Sequence, residues 1–201
     1  MNDGQTTPRA ALITGAGRRI GAAIARALAR AGYTVVLHAN RSRAEAEKLA
    51  AEIAGGGGRA HVVLADLADP EAVQALVPAA AVFGPLTLLV NSAAEFEPDE
   101  IASLDRARFD RTLAVNLAAP LFLAQAFAAQ APEGNDASIV NLIDQRVFKP
   151  TPRYFSYTLS KSALHAATAT LAQAKSVTGV SIAVDGGQHL AWRTIDNDGV
   201  E

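Results

Sequence analysis

Short apolar runs alternate with longer alanine-rich stretches along this 201-residue chain. Ala10–Ile13, Thr34–Leu37, Val62–Leu64, Leu86–Val90 and Ser138–Ile143 are continuous or nearly continuous apolar runs, the pattern of strands buried on both faces. Between them lie Ile20–Ala31, Arg43–Ala54, Pro70–Ala80 and Asp105–Ala129, rich in Ala, Leu, Glu and Arg, which favour helix. Ser156–Ala174 follows as a further helix. Asp69-Pro70-Glu71 reads as a helix start, an N-cap followed by proline in the first turn. Strand and helix in steady succession predict right-handed crossovers and an α/β fold, a doubly wound parallel sheet with helices on both faces. Gly55–Gly58 reads as a loop rather than a boundary, so a single domain over residues 1–201 is expected. Asp105–Ala129 is apolar on more than one face; a core helix and a buried oligomer interface would both produce that pattern.

Composition narrows the function. Half of the residues are hydrophobic, and a chain of this length hides roughly 70% of its unfolded surface, enough for one core. Eighteen basic against twenty acidic side chains leave a net charge of −2, so neither nucleic acid nor an anionic membrane surface is an expected partner. Cysteine is absent, which removes disulfides, thiolate metal sites and a cysteine nucleophile. His38, His61, His165 and His189 are scattered, so no metal is expected. Runs such as Leu113–Leu123 are interrupted by Asn116 and Pro120 and look too short to span a bilayer, and Met1–Arg9 is polar. A cytoplasmic globular protein acting on a small molecule is the expectation.

In such a sheet, ligands bind beyond the carboxyl ends of the strands. After the first strand comes Thr14-Gly15-Ala16-Gly17-Arg18-Arg19-Ile20-Gly21, a glycine turn leading into a helix whose free N–H groups could hold phosphate. After the second comes His38-Ala39-Asn40-Arg41-Ser42-Arg43, with no carboxylate to accept bonds from a ribose hydroxyl and with arginines suited to a 2′-phosphate. The choice favours NADPH over NADH. Asp66-Leu67 follows the third strand and Asn91-Ser92-Ala93-Ala94 the fourth, where small residues would let backbone lie against a flat ring.

Tyr157 and Lys161 sit four apart at the start of a helix, so their Cβ atoms lie roughly 5–6 Å apart on one face. A free phenol has a pKa of about 10, and a nearby ammonium favours phenolate, which would make Tyr157 a stronger acid.

Taken together, the glycine turn, Asp66, the Asn91 segment, Asn116 and the Tyr157/Lys161 pair resemble the short-chain dehydrogenase/reductase family, from about Ala10 to Lys175. Val177-Thr178-Gly179 and Val184-Asp185-Gly186-Gly187 resemble its closing segment. The resemblance implies a Rossmann-type fold and a homotetramer. Tyr157 would be the proton donor, Lys161 the residue holding the nicotinamide ribose, and Asn116 the keeper of active-site water and helix geometry. Gly15, Gly17, Arg19, Ile20, Gly21, Asn40, Arg41, Ser42, Asp66, Leu67, Asn91, Ser92 and Ala93 would contact the dinucleotide.

Two departures point to a subgroup. Asp144 stands thirteen residues before Tyr157, where the family carries serine, and Arg19 replaces the middle glycine of the turn. Both resemble the pteridine reductases, as do His38–Ser42 and the run Asn91–Pro98 containing Phe96. In that subgroup the aspartate works with the tyrosine in protonating a pterin ring, the arginine reaches phosphates and substrate, and the phenylalanine stacks on the pterin. A flat, nitrogen-rich ring suits a sandwich between Phe96 and nicotinamide, with an acid beside ring nitrogen. The plainer reading makes Asp144 a polar substitute for serine in a reductase of ketones or 3-oxoacyl thioesters. A dinucleotide sensor without turnover is a third reading, against which the intact Tyr157/Lys161 pair argues.

One segment looks short. The helix from Ser156 reaches Lys175-Ser176-Val177 almost at once, where the family places another strand, a turn and a substrate-covering segment. A true deletion would leave the sheet short of a strand and the substrate site open; an omitted covering segment would instead interrupt the backbone near Ala174–Ser176, and is the preferred reading because losing an interior strand should unfold the sheet.

Overall fold

The computed structural model describes residues 9–131, 137–171 and 178–183. Six strands, β1 (Ala10–Ile13), β2 (Thr34–Ala39), β3 (Arg59–Leu64), β4 (Leu86–Asn91), β5 (Ser138–Ile143) and β6 (Thr178–Ala183), form one sheet in the order β3-β2-β1-β4-β5-β6. All neighbouring strands run parallel. The order reverses between β1 and β4, the switch point where the carboxyl ends of the strands open a crevice.

The unbroken apolar strands are covered on both sides. Leu12, Val36, Leu86 and Leu89 pack with α3 (Pro70–Ala81) and α5 (Ala119–Gln130), including Val73, Leu76, Leu123 and Phe127. Their alternating neighbours Ile13, Val35, Leu37 and Val90 pack with α1 (Arg19–Arg30) and α2 (Arg43–Gly55) through Ala22, Ala25, Leu49 and Ile53. The start of α3 follows the sequence pattern: the Asp69 side chain accepts from the N–H of Glu71, with Pro70 at the first helical position.

The expected helix Asp105–Ala129 is not continuous. It divides into α4 (Arg106–Leu113), a π-turn at Ala114–Ala118, and α5. Pro120 has no N–H to donate to the carbonyl four residues earlier, that of Asn116, so the regular ladder fails there. By length and composition Arg106–Gln130 is long and apolar enough to cross a membrane, contrary to the shorter reading above. Leu123 and Phe127 are nevertheless fully buried against the sheet, whereas Phe122 is 61% exposed. The helix therefore serves the core with one face and leaves an apolar side chain on another.

The closing of the sheet also departs from expectation. Thr178–Ala183, the start of the segment that resembles the family's last strand, pairs directly with β5, in register from Ser138↔Thr178 to Ile143↔Ala183. No further strand intervenes among the described residues. Parallel pairing with β5 satisfies the ladder that a lost interior strand would have left open. Helix α6 (Phe155–Leu171) precedes it. Residues 174–176, where a chain break is expected, lie outside the described residues, as do Val184–Gly187.

Candidate active site

A cleft of about 590 Å³ opens over the carboxyl ends of the strands. Gly15, Arg19, Ile20 and Gly21 line it after β1, Asn40, Arg41 and Ser42 after β2, and Asp66 and Leu67 after β3. Ser92, Ala93 and Phe96 line it after β4, and Asp144, Tyr157 and Lys161 complete it from β5 and α6. Gly17, Asn91 and Asn116 belong to the expected set but stand behind the wall. A Cβ on Gly17 would come within 2.7 Å of Ser42 Oγ, so this glycine packs the first turn against the second. Asn91 is buried; its Nδ2 donates to Asn141 Oδ1 at 2.8 Å, and Asn141 Nδ2 donates to Thr168 Oγ1 at 2.9 Å, joining β4 and β5 to α6.

The turn after β1 is shaped for a phosphate. Gly15 has φ +64°, and a Cβ there would lie 2.8 Å from Ala93 Cα, so only glycine lets the two turns meet. Arg19 adopts φ 50°, a left-handed conformation that explains why glycine is the expected residue and that costs arginine about 1–2 kcal/mol. The N-terminus of α1 has no side-chain cap and no acid in its first turn, which leaves N–H groups facing the cleft. His38 anchors this turn: its Nδ1 accepts from Gly15 N at 3.2 Å, and Nε2 lies 3.1 Å from Ala65 O. Those partners assign the neutral tautomer protonated on Nε2, and burial pushes the imidazole pKa below its usual value.

After β2, Arg41 and Ser42 present donors to the cleft, and Ser42 makes no capping bond to α2. Arg43 is instead paired with Glu47 at 2.7 Å, so of the two arginines flanking Ser42 only Arg41 faces the site. An uncapped helix start and an arginine, with no carboxylate within residues 38–43, fit a phosphorylated dinucleotide.

At the other end of the cleft, Tyr157 Oη donates to Asp144 Oδ2 at 3.3 Å. Asp144 Oδ1 accepts from Arg146 N at 2.9 Å and lies 3.5 Å from Arg146 Nη1. Lys161 Nζ donates to Leu142 O at 2.8 Å and stands 5.8 Å from the Tyr157 ring centroid. The expected acidification of Tyr157 is not what this arrangement does. Burial, followed by the Asp144 charge and its hydrogen bond, raises the phenol pKa, and only Arg146 pulls it down. Burial likewise pushes the Lys161 ammonium down to about 8, with the Asp144 charge opposing. The hydroxyl is thus held protonated, with its proton aimed at a carboxylate.

The aromatic wall is fuller than the sequence suggested. Phe96 stacks on Tyr154 with centroids 4.1 Å apart, meets Tyr157 edge-on at 4.7 Å, and is 45% exposed. The buried Arg146 guanidinium stands 5.3 Å from the Phe96 centroid and 4.9 Å from that of Tyr154. Arg146 and Tyr154 escaped the sequence reading, because loop residues carry no periodicity; their nearness to Asp144 and Tyr157 was the only available signal.

Two ties hold the Phe96 loop to α6. Asn116 Oδ1 accepts from Glu95 N and its Nδ2 donates to Glu95 O, both at 2.8 Å, with a further bond to Ser160 Oγ at 3.2 Å. Asp99 accepts from the N–H and the hydroxyl of Ser156, capping the start of α6 from a distant loop. Asn116 thus links the Glu95 backbone to Ser160 of α6.

A parallel sheet with a phosphate-shaped turn at its switch point, and a Tyr/Lys pair beside it, defines a dinucleotide-binding oxidoreductase fold. The chain belongs to the short chain dehydrogenase family, whose model matches residues 9–185. It is 35% identical over 174 residues to a short-chain type dehydrogenase/reductase from Picea abies, covering 82% of this chain and 64% of that protein's length. It is 34% identical over 209 residues to pteridine reductase 1 from Leishmania tarentolae, covering 83% of this chain and 72% of the relative. The crystal structure of alternative dihydrofolate reductase 1 from Brucella suis in complex with NADP superposes with a TM-score of 0.86 at 41% identity, covering 94% of this chain and 98% of that one. The residues lining this cleft, Arg41 and the uncapped start of α1 among them, fit such a phosphorylated dinucleotide.

Proposed function

We propose that the protein is an NADPH-dependent reductase of pteridine-like heterocycles. The observation that carries this reading is the hydrogen bond from Tyr157 to Asp144, at a position where a ketone reductase of the family would carry serine. The half-exposed Phe96 ring beside that pair offers a flat apolar face to a fused heterocycle. The names of the Leishmania and Brucella proteins support the same substrate class.

When bound, NADPH supplies a hydride to the carbon of a ring C=N bond. Tyr157 breaks its O–H bond and gives the proton to the ring nitrogen, which leaves a C–H and an N–H in the product. Asp144, already the acceptor of that O–H, is the route by which the phenolate regains a proton from water. Lys161 supplies positive charge beneath the Tyr157 ring while that phenolate exists. Arg19 and Phe96 both line the cleft, where the arginine would meet phosphates and substrate and the phenylalanine would hold the ring plane.

One observation favours the ketone-reductase reading: Asp144 Oδ1 caps the short 3₁₀ turn Gln145–Val147, a task serine could perform equally well. NADPH oxidation measured with a dihydropterin or dihydrofolate, against an acetoacetyl thioester, separates the two. The proposal expects kcat/KM for the pterin to exceed that for the thioester by about tenfold or more. The reverse order supports the ketone reading, and dinucleotide binding without oxidation by either supports a sensor. The same proposal includes a cytoplasmic location and a homotetramer, in which a second copy would cover Phe122 of α5 and Leu159 of α6.

A further inference from the structure

The loop after β4 and the start of α6 are joined at successive residues. The Phe155 N–H donates to Asp99 O at 3.3 Å, and the Ser156 N–H donates to Asp99 Oδ1 at 3.1 Å. The Ser156 hydroxyl donates to Asp99 Oδ2. In the same loop Phe96 stacks on Tyr154, with an interplanar angle of 5°. Asp99 thus satisfies two of the N–H groups that a helix start leaves open, a task that usually falls to the residue preceding the helix.

That preceding residue is Tyr154, and its conformation is unusual. Its φ is +60°, in the left-handed region that residues with a Cβ rarely adopt, while its carbonyl accepts from Thr158 N at 2.9 Å. Its side chain is turned against Phe96 and takes no part in capping. A residue held in such a conformation persists only where its surroundings over-determine it. Here Asp99 fixes the backbone on one side, and the ring stack fixes the side chain on the other.

Phe96 consequently has one face left for a ligand, since Tyr154 covers the other. The Tyr157 ring meets Phe96 edge-on at 4.7 Å, so platform and hydroxyl are neighbours supplied by two elements far apart in sequence. Transfer of a proton needs reacting atoms about 3–3.5 Å apart, and a misplacement of about 1 Å is costly. The join between the two elements therefore bears on the reaction.

We propose that Asp99 is a positioning residue for the substrate ring. By holding Phe155 and Ser156 it keeps Tyr154 in the left-handed conformation that backs Phe96, and so fixes the platform relative to the Tyr157 hydroxyl. The inference rests on the pteridine reading, under which Phe96 carries the heterocycle. Asp99 stands outside the cleft lining and acts through Tyr154 and Phe96.

Initial rates with a dihydropterin give KM and kcat, and the fluorescence of the reduced nicotinamide gives Kd for NADPH without turnover. Asp99→Ala should raise the pterin KM about tenfold, with kcat lowered by about threefold or less and Kd for NADPH unchanged, because a stacking platform contributes binding more than chemistry. Introduced into Phe96→Leu, the same change should raise KM by about twofold or less, since the platform it serves is already gone. Asp99→Asn keeps one acceptor oxygen for the Ser156 N–H. It should raise KM by about threefold, an increase that likewise vanishes beside Phe96→Leu, and it carries the test should the alanine variant not fold. A KM increase of equal size with and without Phe96, a loss confined to kcat, or an equal weakening of NADPH binding overturns the proposal. Absence of pterin reduction by the unaltered protein overturns the pteridine reading and this inference together, whereas reduction with a KM insensitive to Asp99 overturns this inference alone.

Discussion

The hydroxyl of Tyr157 donates to Oδ2 of Asp144, 3.3 Å away, while Oδ1 of the same carboxylate accepts the backbone N–H of Arg146. The two oxygens of Asp144 thus have separate tasks: one holds the 3₁₀ turn after β5, and the other faces the reacting group. A serine in this place would offer a single oxygen for both. The buried Arg146 guanidinium stands beside the carboxylate and supplies the countercharge that an anion in this cleft needs.

Arg41→Ala should raise KM for NADPH by about tenfold or more while changing KM for NADH little. A charge-assisted bond to the 2′-phosphate is then lost, and NADH has no such phosphate. Steady-state kinetics with both cofactors measures this directly. Equal effects on the two would place the 2′-phosphate elsewhere.

His38 makes stability depend on pH on the acid side. Its folded pKa lies below the unfolded value of about 6.5, so between the two values the unfolded chain binds more protons. The stability it contributes is fully present above about pH 6.5 and is lost as pH falls through the folded pKa. Thermal unfolding between about pH 7 and pH 5 should show this loss. His38→Gln, which can keep one bond to each neighbour without titrating, should show a smaller decline over the same range.

Lys161 sets the alkaline limit. Its ammonium, pushed down to about 8 by burial, loses its proton as pH rises through that value, and with it the positive charge beneath Tyr157. The kcat/KM profile should therefore fall above about pH 8, since it reports the free enzyme's essential groups. Lys161→Arg, which stays charged throughout, should lower kcat but move that alkaline limb upward. An unmoved limb would assign the titration to another group.

The fold was legible because its strands are buried on both faces and its helices carry strong helix formers. Ile13, Val35 and Leu37 read as apolar runs for the same reason that they pack beneath α1 and α2. The glycine turn was legible too, because Gly15 meets Ala93 so closely that composition records the geometry. What the chain concealed depends on pairs distant in sequence. The bond between Asp99 and Ser156, the clasp of Arg111 on Asp66, and the stack of Phe96 on Tyr154 join loops whose residues follow no period. The π-turn at Ala114–Ala118 was hidden within an apolar helix pattern, although Pro120 marked its place. The acidity of Tyr157 was misjudged because spacing showed the nearby lysine and not the burial or the Asp144 charge, which dominate.

If Asp144 directs this reductase toward ring-nitrogen heterocycles, replacing it should change the choice of substrate. The most direct measurement is kcat/KM of Asp144→Ser, beside the unaltered enzyme, for NADPH-dependent reduction of a dihydropterin and of an acetoacetyl thioester. Pterin reduction should fall by about 10²-fold or more, the scale of a lost proton-transfer partner, with NADPH binding little changed and thioester reduction equal or higher. Pterin reduction by Asp144→Ser as fast as that of the unaltered enzyme would contradict it and leave Asp144 as a capping residue in a reductase of ketones.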